Sequence, residues 1–430
     1  MKRKLLIIGY VWPEPKSSAA GTRMMQLIEL FQRHDWQITF ASPAALGEHR
    51  EDLNTLGIDE QPIELNSASF DVFVSQLQPD TVVFDRFMME EQFGWRVEKH
   101  CPNALRILNT EDLHSLREAR QQRLKNLLKK ENEDLSPLWD NTAETLFDIM
   151  ADNDLTQREV ASIFRSDLTL MISEFETRLL QQAFQVSPSL LFTLPFLYDS
   201  DRLPEMPDDT QRQHFVFIGN FRHAPNWDAV LWLKTAIWPK IRQALPQAEL
   251  HVYGAYPAKK VTDLNNPKQG FLVKGWAEDA LLVLSQARVC LAPLRFGAGI
   301  KGKLAEAMLC GTPSITTPIG AEAMLPQDAS RSDWPGLIAT DEDAIAEAAI
   351  ELYQNQTLWQ KAQSKGKSLA KERYCNAQQG EALIERIEEI LAALERHRKQ
   401  NFIGSMLRHH QHKSTQYMAQ WIEAKNRKPE

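Results

Sequence analysis

The sequence predicts an α/β protein with two doubly wound, Rossmann-like domains in tandem, each a parallel sheet covered by helices on both faces. Its 430 residues exceed the roughly 100–200 residues of one ordinary domain. Short apolar runs, typical of strands buried on both faces, alternate with helical patterns. The alternation stops in a polar, Pro- and Asp-rich stretch between Pro195 and His214 and then begins again. We therefore place the domain boundary in that stretch.

In the first half, a strand, a loop and a helix open a βαβ unit. Lys4–Gly9 is the apolar strand, a loop with Pro and Gly runs from 11 to 21, and residues 22–34 have helical periodicity. The charged stretch from 113 to about 165 is predicted to be helical, with a capping-box pattern from Thr156 to Glu159. Five more strands are predicted from similar apolar runs: Gln37–Ala41, Thr81–Asp85, Leu105–Asn109, Leu168–Ser173 and Leu190–Leu194.

The second half repeats the pattern. Pro225 and Asn226 begin a helix that runs to about Leu245. Thr340 is expected to cap a helix over 341–354, and a long helix is predicted from about Gln378 to Arg398. Six strands are predicted: His214–Gly219, Glu249–Gly254, Phe271–Gly275, Ala287–Pro293, Pro313–Thr317 and Gly336–Ala339.

The composition excludes several classes of protein. With 43% hydrophobic and 25% charged residues, the chain is not typical of a disordered segment or a coiled-coil rod. No apolar run approaches the 18 or so residues that span a bilayer, and the apolar start is too short for a signal peptide, so we expect a cytoplasmic protein. The four cysteines form no C-x-x-C pair, which argues against a disulfide framework or a structural zinc site.

Charge is distributed unevenly along the chain. A net charge of −8 argues against a globally basic nucleic-acid binder. From Arg396 to Glu430, however, eight Lys or Arg stand against two Glu, a local charge of +6. This tail is interpreted either as a solvated basic segment with a short terminal helix, or as a site that attracts an anionic membrane surface or an acidic partner. A metal site built from the histidines of the tail is the least favoured alternative.

A glycine-rich turn is the strongest candidate site. In an open parallel sheet, ligands bind beyond the carboxyl ends of the strands. Leu294–Gly311 combines a strand exit, a glycine-rich turn and a helix start. Glycines such as Gly299 let backbone amides approach an oxyanion, the helix terminus adds about half a positive charge, and Lys301 and Lys303 add full charges. The pattern predicts a diphosphate site; the alternative is a tight turn with exposed lysines.

Two further strand-exit features agree with a nucleotide ligand. Glu306 lies one to two turns into the same helix between two alanines, and a carboxylate can accept hydrogen bonds from both hydroxyls of a ribose. The alternative is a solvent-facing glutamate paired with a lysine. Gly219 and Arg222 follow another strand, and a guanidinium suits phosphate oxygens.

These motifs resemble those of the large retaining "group 1" nucleotide-sugar glycosyltransferases, which have the GT-B fold. The most specific run is Gly297-x-Gly-Ile-Lys-x-Lys-x-x-Glu-Ala-Met-x-x-Gly-x-Pro313. The resemblance extends from Leu5 to about Arg398. It implies that the E-x7-E motif of the family has its second Glu at Glu306, on the ribose, and Ala298 in place of its first Glu, as in the Gly-Ile-Lys variant. The other segments that carry it are Gly219–Asn226, Tyr253–Pro257, Val273–Ala277 and Thr316–Glu322.

The resemblance also implies two domains that face each other across a cleft and bind different substrates. It places an acceptor-side domain at 1–200, a linker at 201–213 and a nucleotide-sugar-binding domain at 214–375. A helix over 376–399 then crosses back to the first domain, and a basic tail follows over 400–430.

Roles for individual residues follow from the same resemblance. Lys301 and Arg222 are placed against the donor diphosphate, the main chain near Lys274 against the nucleobase, and Gly21, in the loop after the first strand, near acceptor and phosphates. His114 is the candidate residue at the reaction centre, with Asp85, Asp112 and Arg86 as neighbours; taken singly, each is as readily a helix cap or a surface group. The complete expected set adds Gly219, Gly299 and Lys303 at the diphosphate, Glu306 at the nucleoside and Glu322 near the acceptor loop.

The chemistry needs no further cofactor. A departing nucleoside diphosphate gains negative charge, so fixed amides and cations stabilise the transition state, and no metal is required. Asp152-Asn-Asp154 has the pattern of a metal motif, but a turn between helices is the favoured interpretation. The loop after Ile8 lacks G-x-G-x-x-G, which excludes a dehydrogenase.

Two alternatives to a transferase that uses a nucleotide-sugar donor and an unidentified acceptor stay open. One is a nucleotide-sugar epimerase on the same scaffold. The other is a non-catalytic binding module, which Ala298 would suit. His114 together with Lys301 favours an enzyme, because a pure scaffold needs neither.

Overall fold

The computed structural model describes residues 2–129, 134–203 and 206–426. Two sheets, parallel throughout, organise this part of the chain. The predicted class, two α/β Rossmann-like units in tandem, is confirmed. Among the described residues, no helix is both long and apolar enough to cross a membrane.

The first sheet has seven strands. They are Lys4–Ile8 (β1), Gln37–Ser42 (β2), Asp59–Pro62 (β3), Thr81–Asp85 (β4), Leu105–Asn109 (β5), Leu168–Met171 (β6) and Leu191–Thr193 (β7). Their order in the sheet is β3-β2-β1-β4-β5-β6-β7. The strand order reverses between β1 and β4, so the connections that leave these two strands run in opposite directions across the sheet. The loops after β1 and β4 therefore leave a crevice between them. All the predicted strands of this half form within two residues of their expected bounds. β3 was missed because its sequence, Asp-Glu-Gln-Pro, has no apolar residue.

Helices cover both faces of the first sheet. They are Ala19–Arg33 (α1), Ser69–Leu77 (α2), Phe87–His100 (α3), His114–Leu127 (α4), Ala143–Met150 (α5), Asp154–Arg165 (α6) and Glu174–Ala183 (α7).

The capping box expected at the start of α6 is wrong. Asn153 caps this helix, its side chain accepting from the amide of Leu155, and Thr156 lies inside the helix. Glu159 instead accepts hydrogen bonds from the amides of His114, at 3.0 Å, and Ser115, at 2.9 Å. Glu159 therefore caps α4 from across the domain. The Asp152–Asp154 segment is a turn that leads into α6, as predicted.

The second sheet repeats the winding with six strands. They are Gln213–Ile218 (β8), Leu250–Tyr253 (β9), Phe271–Gly275 (β10), Ala287–Ala292 (β11), Ser314–Thr316 (β12) and Gly336–Ile338 (β13). The order is β10-β9-β8-β11-β12-β13, with the reversal between β8 and β11. All six were predicted from short apolar runs, although β9, β10 and β13 are only partly buried.

The helices of the second half include the predicted segment from 225 to 245. That segment forms as two helices joined by a π-helical turn over Leu233–Ile237. Asp341, not Thr340, caps the helix at 342, accepting from the amide of Ala344. The helices are Ala224–Trp232 (α8), Trp238–Ala244 (α9), Lys259–Thr262 (α10), Ala280–Gln286 (α11), Gly302–Leu309 (α12), Pro318–Ala321 (α13), Glu342–Gln354 (α14) and Gln356–Tyr374 (α15).

The last helices return to the first sheet. They are Ala377–Ala392 (α16), Leu394–Gln400 (α17), Phe402–Leu407 (α18) and Lys413–Asn426 (α19). The predicted long helix is interrupted at Ala393. Leu383 and Ile387 of α16 pack in one apolar cluster with Leu5 and Ile7 of β1. Instead of a solvated tail, residues 402–426 form helices that lie against α3 and α6.

Buried ion pairs attach these C-terminal helices. The guanidinium of Arg398 donates to both carboxylate oxygens of Asp167, at 2.7 and 2.8 Å. The Nδ1 of His412 donates to a carboxylate oxygen of Glu98 at 2.6 Å, and its Nε2 lies 3.5 Å from Glu90. Of the eight Lys and Arg residues counted in the tail, Arg398 and Arg408 therefore form ion pairs with the first domain.

Candidate active site

The candidate site lies where the strand-exit loops of the two sheets meet. Hydrogen bonds join the halves at several points around it. Tyr256 donates to Glu14 at 2.8 Å, the indole of Trp276 donates to the carbonyl of Lys16 at 3.0 Å, and Asn220 donates to the carbonyl of Ser17 at 3.4 Å. The carboxyl ends of both sheets thus face one shared cleft.

The glycine turn from Gly297 to Lys301 faces this cleft. Gly299 has φ +64°, a left-handed conformation that favours glycine. A Cβ at position 299 would lie 2.9 Å from the Cβ of Asp112 in the first domain, so the approach of the two halves also needs glycine here. Lys301 is 7% exposed, and its ammonium donates to the carbonyl of Gly299 at 2.7 Å. Burial lowers the pKa of Lys301. The turn is presented to the groove and is covered by the first domain.

An arginine from α4 holds the turn in place. Arg120 donates to the carbonyl of Gly297 at 2.8 Å and to the two carboxylate oxygens of Glu322 at 2.6 and 2.9 Å. Glu322 was expected near the acceptor loop. The structure gives it a buried ion pair that positions the turn, and Arg120, in mid-helix, carries no sequence signal that would have identified it.

Glu176 is the main site residue that the sequence analysis missed. Its Oε1 accepts from the amide of Gly299 at 2.7 Å, and the residue is 0% exposed. Burial, and then the negative charge of Asp112, raise the pKa of Glu176 to about 8. It follows β6 by only a few residues, so the strand-exit rule that identified the glycine turn would also have identified it.

His114 begins α4 at the same cleft. Its Nδ1 lies 3.2 Å from the carbonyl oxygen of Asp112 and 3.5 Å from a carboxylate oxygen of Glu159. Burial alone would raise the pKa of Asp112, but the charge of Arg117, with which it forms an ion pair, holds it well below its usual range. The expected pair of His114 and Asp112 is therefore adjacent, with Asp112 ionised.

His223 of the second domain lies close to this pair. Burial, and then the positive charge of Arg117, lower its pKa to about 3. It is therefore a neutral imidazole at physiological pH, between the halves.

Asp85 and Arg86 have other first-domain residues as partners. Asp85 accepts from the side-chain amide of Asn109 at 3.4 Å, and Arg86, with φ +72°, lies 5.0 Å over the ring of Tyr10. In the described part of the chain, no hydrogen bond or ion pair joins either residue to His114.

A second buried carboxyl lies beside Asp85. Burial raises the pKa of Glu111 to about 7, against the opposing charge of Arg23 4.0 Å away. The side-chain amide of Asn109 donates to Glu111 at 2.7 Å. Two site carboxyls, Glu111 and Glu176, are thus poised to change protonation near neutral pH.

The loop after β8 carries two of the expected donor residues. A Cβ at Gly219 would lie 2.7 Å from the side chain of Asn226, so only glycine fits this strand exit. Arg222 is exposed, with its guanidinium 3.5 Å over the ring of Tyr256. Lys303 bonds the side-chain oxygen of Asn226, and burial lowers its pKa to about 8.

The remaining expected residues lie in different surroundings. The hydroxyl of Tyr198 donates to Glu306 at 3.2 Å, and burial raises the pKa of Glu306 to about 7. Lys274 is exposed on the edge strand β10. The expected place of Gly21 in a loop is wrong: it lies in α1, where its amide donates to the helix cap Ser18 at 3.0 Å. The helix begins earlier than predicted because Ser18 caps it.

A cavity of about 380 Å³ opens beside His114. Both halves of the molecule line it, with charged and apolar side chains mixed. The lining residues are Phe87, Met88, His114, Arg117, Glu118, Gln121, Leu155, Arg158, Ala224 and Phe296.

Among the described residues, one group of side chains lies close enough together to hold a metal ion. Ligand atoms of His214, Glu249 and His251 lie within 4.8 Å of one another. They stand at the amino ends of β8 and β9, at the opposite end of the sheet from the cleft. They take no part in the candidate active site.

Comparison with protein families identifies the chemistry of the second half. Residues 212–355 match the family model of the group 1 glycosyl transferases. The chain is a glycosyltransferase.

Solved structures agree with this glycosyltransferase in fold. HepE from Anabaena, in complex with UDP and glucose, has a TM-score of 0.63 at 13% identity, covering 90% of this chain and 99% of its own. Sucrose-phosphate synthase from Thermosynechococcus elongatus gives 0.64 at 15%, covering 91% and 100%. WaaG, a glycosyltransferase of lipopolysaccharide biosynthesis, gives 0.59 at 12%, covering 88% and 98%. At these identities the likeness establishes the GT-B fold alone. A comparison with curated protein sequences gives no significant match.

Proposed function

We propose that this glycosyltransferase moves a sugar from a nucleotide-diphosphate sugar to an acceptor, with retention and without a metal ion or other cofactor. The observation that supports it most directly is the glycine turn, which combines backbone amides, the amino end of α12 and Lys301 at a cleft shared by both domains. This combination is suited to a dianionic leaving group. Structures of HepE hold UDP, or UDP and glucose, within the same fold.

The donor roles follow the strand exits of the second domain. We assign the amides of the turn, Gly219, Arg222, Lys301 and Lys303 to the diphosphate. Glu306 is assigned to the ribose, and the main chain beside Lys274 to the base. Because first-domain residues cover the turn, donor entry requires the two domains to separate.

Catalysis in this proposal is electrostatic. Negative charge grows on the departing phosphate, and fixed amides and ammonium groups stabilise it more strongly in the transition state than in the ground state. His114, held by the carbonyl of Asp112 and by Glu159, lines the cavity and can exchange a proton with the acceptor hydroxyl. Asp112 keeps His114 oriented. The retaining outcome rests on the resemblance to the retaining family.

The acceptor is assigned to the cavity beside His114. Its walls supply apolar contact from Phe87 and Phe296 and polar contact from Arg117 and Gln121. Asp85, Arg86 and Gly21 lie on the same side of the cleft, in the first domain.

Release of free nucleoside diphosphate tests the proposal. The protein is incubated with a panel of nucleotide sugars and a cell extract as acceptor source. Release is expected with at least one donor. Binding without release would support the non-catalytic module, and a converted nucleotide sugar without release would support the epimerase.

The matched variants are Lys301→Ala and Lys268→Ala, a buried lysine at the turn and an exposed one on the same domain. Lys301→Ala is expected to lower the transfer rate by about a hundredfold to a thousandfold, the usual loss for one fixed donor to a developing oxyanion. Lys268→Ala should leave it unchanged. An unaltered rate in Lys301→Ala would contradict the role of the turn.

We also propose that the protein works in the cytoplasm, with its C-terminal helices on an anionic membrane surface. Six large apolar side chains of α18 and α19 are exposed: Phe402, Ile403, Met406, Tyr417, Met418 and Trp421. Lys413 and Lys425 lie on α19. Between 401 and 426 the only acidic residue is Glu423. Aromatic and basic residues together favour the interface of an anionic bilayer.

Vesicle sedimentation tests this surface. Binding to phosphatidylglycerol vesicles, and weaker binding to phosphatidylcholine vesicles, is expected. Serine substitution of both Tyr417 and Trp421 should reduce binding at least fivefold, whereas the same change at exposed Leu46 and Val72 should not. Equal binding by both variants, or self-association that the first variant abolishes, would contradict the proposal.

A further inference from the structure

Glu176 brings a carboxyl group from the first domain to the glycine turn of the second. Its Oε1 accepts from the amide of Gly299 at 2.7 Å and, more weakly, from the amide of Leu113 at 3.3 Å. Its Oε2 is buried and has no hydrogen-bond partner among the described residues. Buried polar atoms in native proteins nearly always have partners, so an unpartnered oxygen at a ligand site points to a group that arrives with the ligand.

The ligand group at Glu176 must be close to neutral. The ionised carboxylate of Asp112 lies beside Glu176 and repels a phosphate, whereas a hydroxyl carries no charge and can donate and accept at once. The cationic part of the turn is better suited to phosphate, since Lys301 and Lys303 lie there with the amino end of α12. The turn therefore has two chemically distinct ends.

We propose that Glu176 hydrogen-bonds a hydroxyl group of the donor sugar and thereby sets which sugar the enzyme transfers. The hydroxyl inserts between Glu176 and Gly299 and replaces their direct hydrogen bond. Its oxygen accepts a hydrogen bond from the amide of Gly299, and the hydroxyl forms a second hydrogen bond with the carboxyl group of Glu176. The inference rests on the proposed function and moves the amide of Gly299 from the diphosphate to the sugar.

Ala298 agrees with this assignment. It lies next to Gly299, is 8% exposed and packs in an apolar cluster with first-domain residues such as Leu113 and Met171. No carboxylate reaches the sugar from position 298. Glu176 supplies a carboxyl group from the opposite wall of the cleft, so the sugar is recognised only when both domains have closed on it.

The central experiment compares Glu176→Gln with Glu174→Gln. Both glutamates lie in the first turn of α7, but Glu174 forms an ion pair with Arg373 at 3.2 Å. The glutamine keeps the size of the side chain and an oxygen for the amide of Gly299. With the donor that releases diphosphate in wild type, Glu176→Gln should raise the KM for that donor about tenfold. Glu174→Gln should leave it unchanged.

The affinity for the free nucleoside diphosphate separates this inference from the proposed function. Glu176→Gln should bind the free diphosphate as wild type does, because the diphosphate lacks the sugar. Equal loss of affinity for the diphosphate and for the nucleotide sugar would contradict the inference while leaving transferase activity intact. A wild-type protein that releases diphosphate from no donor would instead overturn the proposed function.

Deoxy donors identify the hydroxyl. Wild type should discriminate about tenfold or more against one deoxy form of the donor sugar, and Glu176→Gln should lose that discrimination. Glu176→Asp, which keeps the carboxyl group and shortens its reach, serves as the second variant if the glutamine variant does not fold. Unchanged discrimination in a folded variant would show that Glu176 only holds the turn in position.

Discussion

Two sets of buried carboxyls in the first domain behave in opposite ways. Beneath the C-terminal helices, burial alone would raise the pKa of Glu90, but the charge of Arg165 and a hydrogen bond from His412 lower it to about 2. In the cleft, burial raises the pKa of Glu176 to about 8 and that of Glu111 to about 7. All three residues are glutamates with buried carboxyl groups, so the opposite pKa shifts come from the groups that each carboxyl contacts.

The partners also separate structural from functional carboxyls. Arg165 donates to both oxygens of Glu90, at 2.9 and 3.1 Å through Nε, so this carboxylate is satisfied by the fold itself. Glu176 has amide partners on one oxygen only. A buried group that the fold leaves incompletely satisfied is destabilising unless a ligand completes it, and such groups concentrate at functional sites.

Removing the partner of Glu90 is expected to have the largest effect on stability. Arg165→Met leaves a buried carboxylate without its cation, which typically costs about 3–5 kcal/mol. Urea denaturation at pH 7 measures the loss. A loss below about 1 kcal/mol would show that Glu90 is stabilised mainly by His412.

At high pH, Glu176→Gln should be more stable than wild type, whereas Arg165→Met should be less stable. A raised pKa means that the folded state holds its proton between about pH 4.5 and 8 while the unfolded state does not, so stability falls as pH rises through this window. Glu176→Gln removes that dependence. Denaturation at pH 6 and pH 9 should show the variant gaining on wild type by on the order of 1–2 kcal/mol at the higher pH.

A parallel pH dependence at both positions would break the comparison. Glu90→Gln is the matched control, because its lowered pKa contributes stability that is present above about pH 4.5 and is lost as pH falls toward about 2. His412, whose pKa Glu90 helps to raise above its ordinary value, is protonated below about pH 6. Between about pH 5 and 6, Glu90→Gln should therefore show a constant difference from wild type, whereas wild type already loses stability relative to Glu176→Gln over that range.

The sequence predicted local features of the fold better than contacts between distant residues. Strands buried on both faces, such as β4, and the turn at Gly299 are encoded locally, by apolar runs and by glycine at a positive φ. The partners of Glu159 and Glu176 lie 45 and 123 residues away in sequence, and no local pattern specifies such a contact. Edge strand β3 was missed for a related reason: its hydrogen bonds to β2, not its side chains, make it a strand.

Glu306 offers an intermediate case in the second domain. Its side chain accepts a hydrogen bond from the neutral hydroxyl of Tyr198, and burial raises the pKa of Glu306 to about 7. If it binds the ribose, Glu306→Ala should weaken nucleotide binding about tenfold, or about 1.4 kcal/mol, as expected for hydrogen bonds to a charged group. Calorimetry with the nucleoside diphosphate measures this, and an unchanged affinity would remove Glu306 from the ribose.

The ion pair of Arg158 and Glu91, which is exposed on its arginine side, should give the smallest effect. Arg158 donates to both carboxylate oxygens of Glu91, at 3.1 and 2.6 Å, so its geometry equals that of Arg165 with Glu90. Its side chain, however, is 43% exposed, and solvent screening leaves such pairs about 0–1 kcal/mol. Arg158→Met should therefore cost less than about 1 kcal/mol in urea denaturation. Since Arg158 also lines the cavity beside His114, the same variant should raise the KM for the acceptor while that for the donor stays constant. A stability loss as large as that of Arg165→Met would show that geometry, and not burial, decides what these ion pairs contribute.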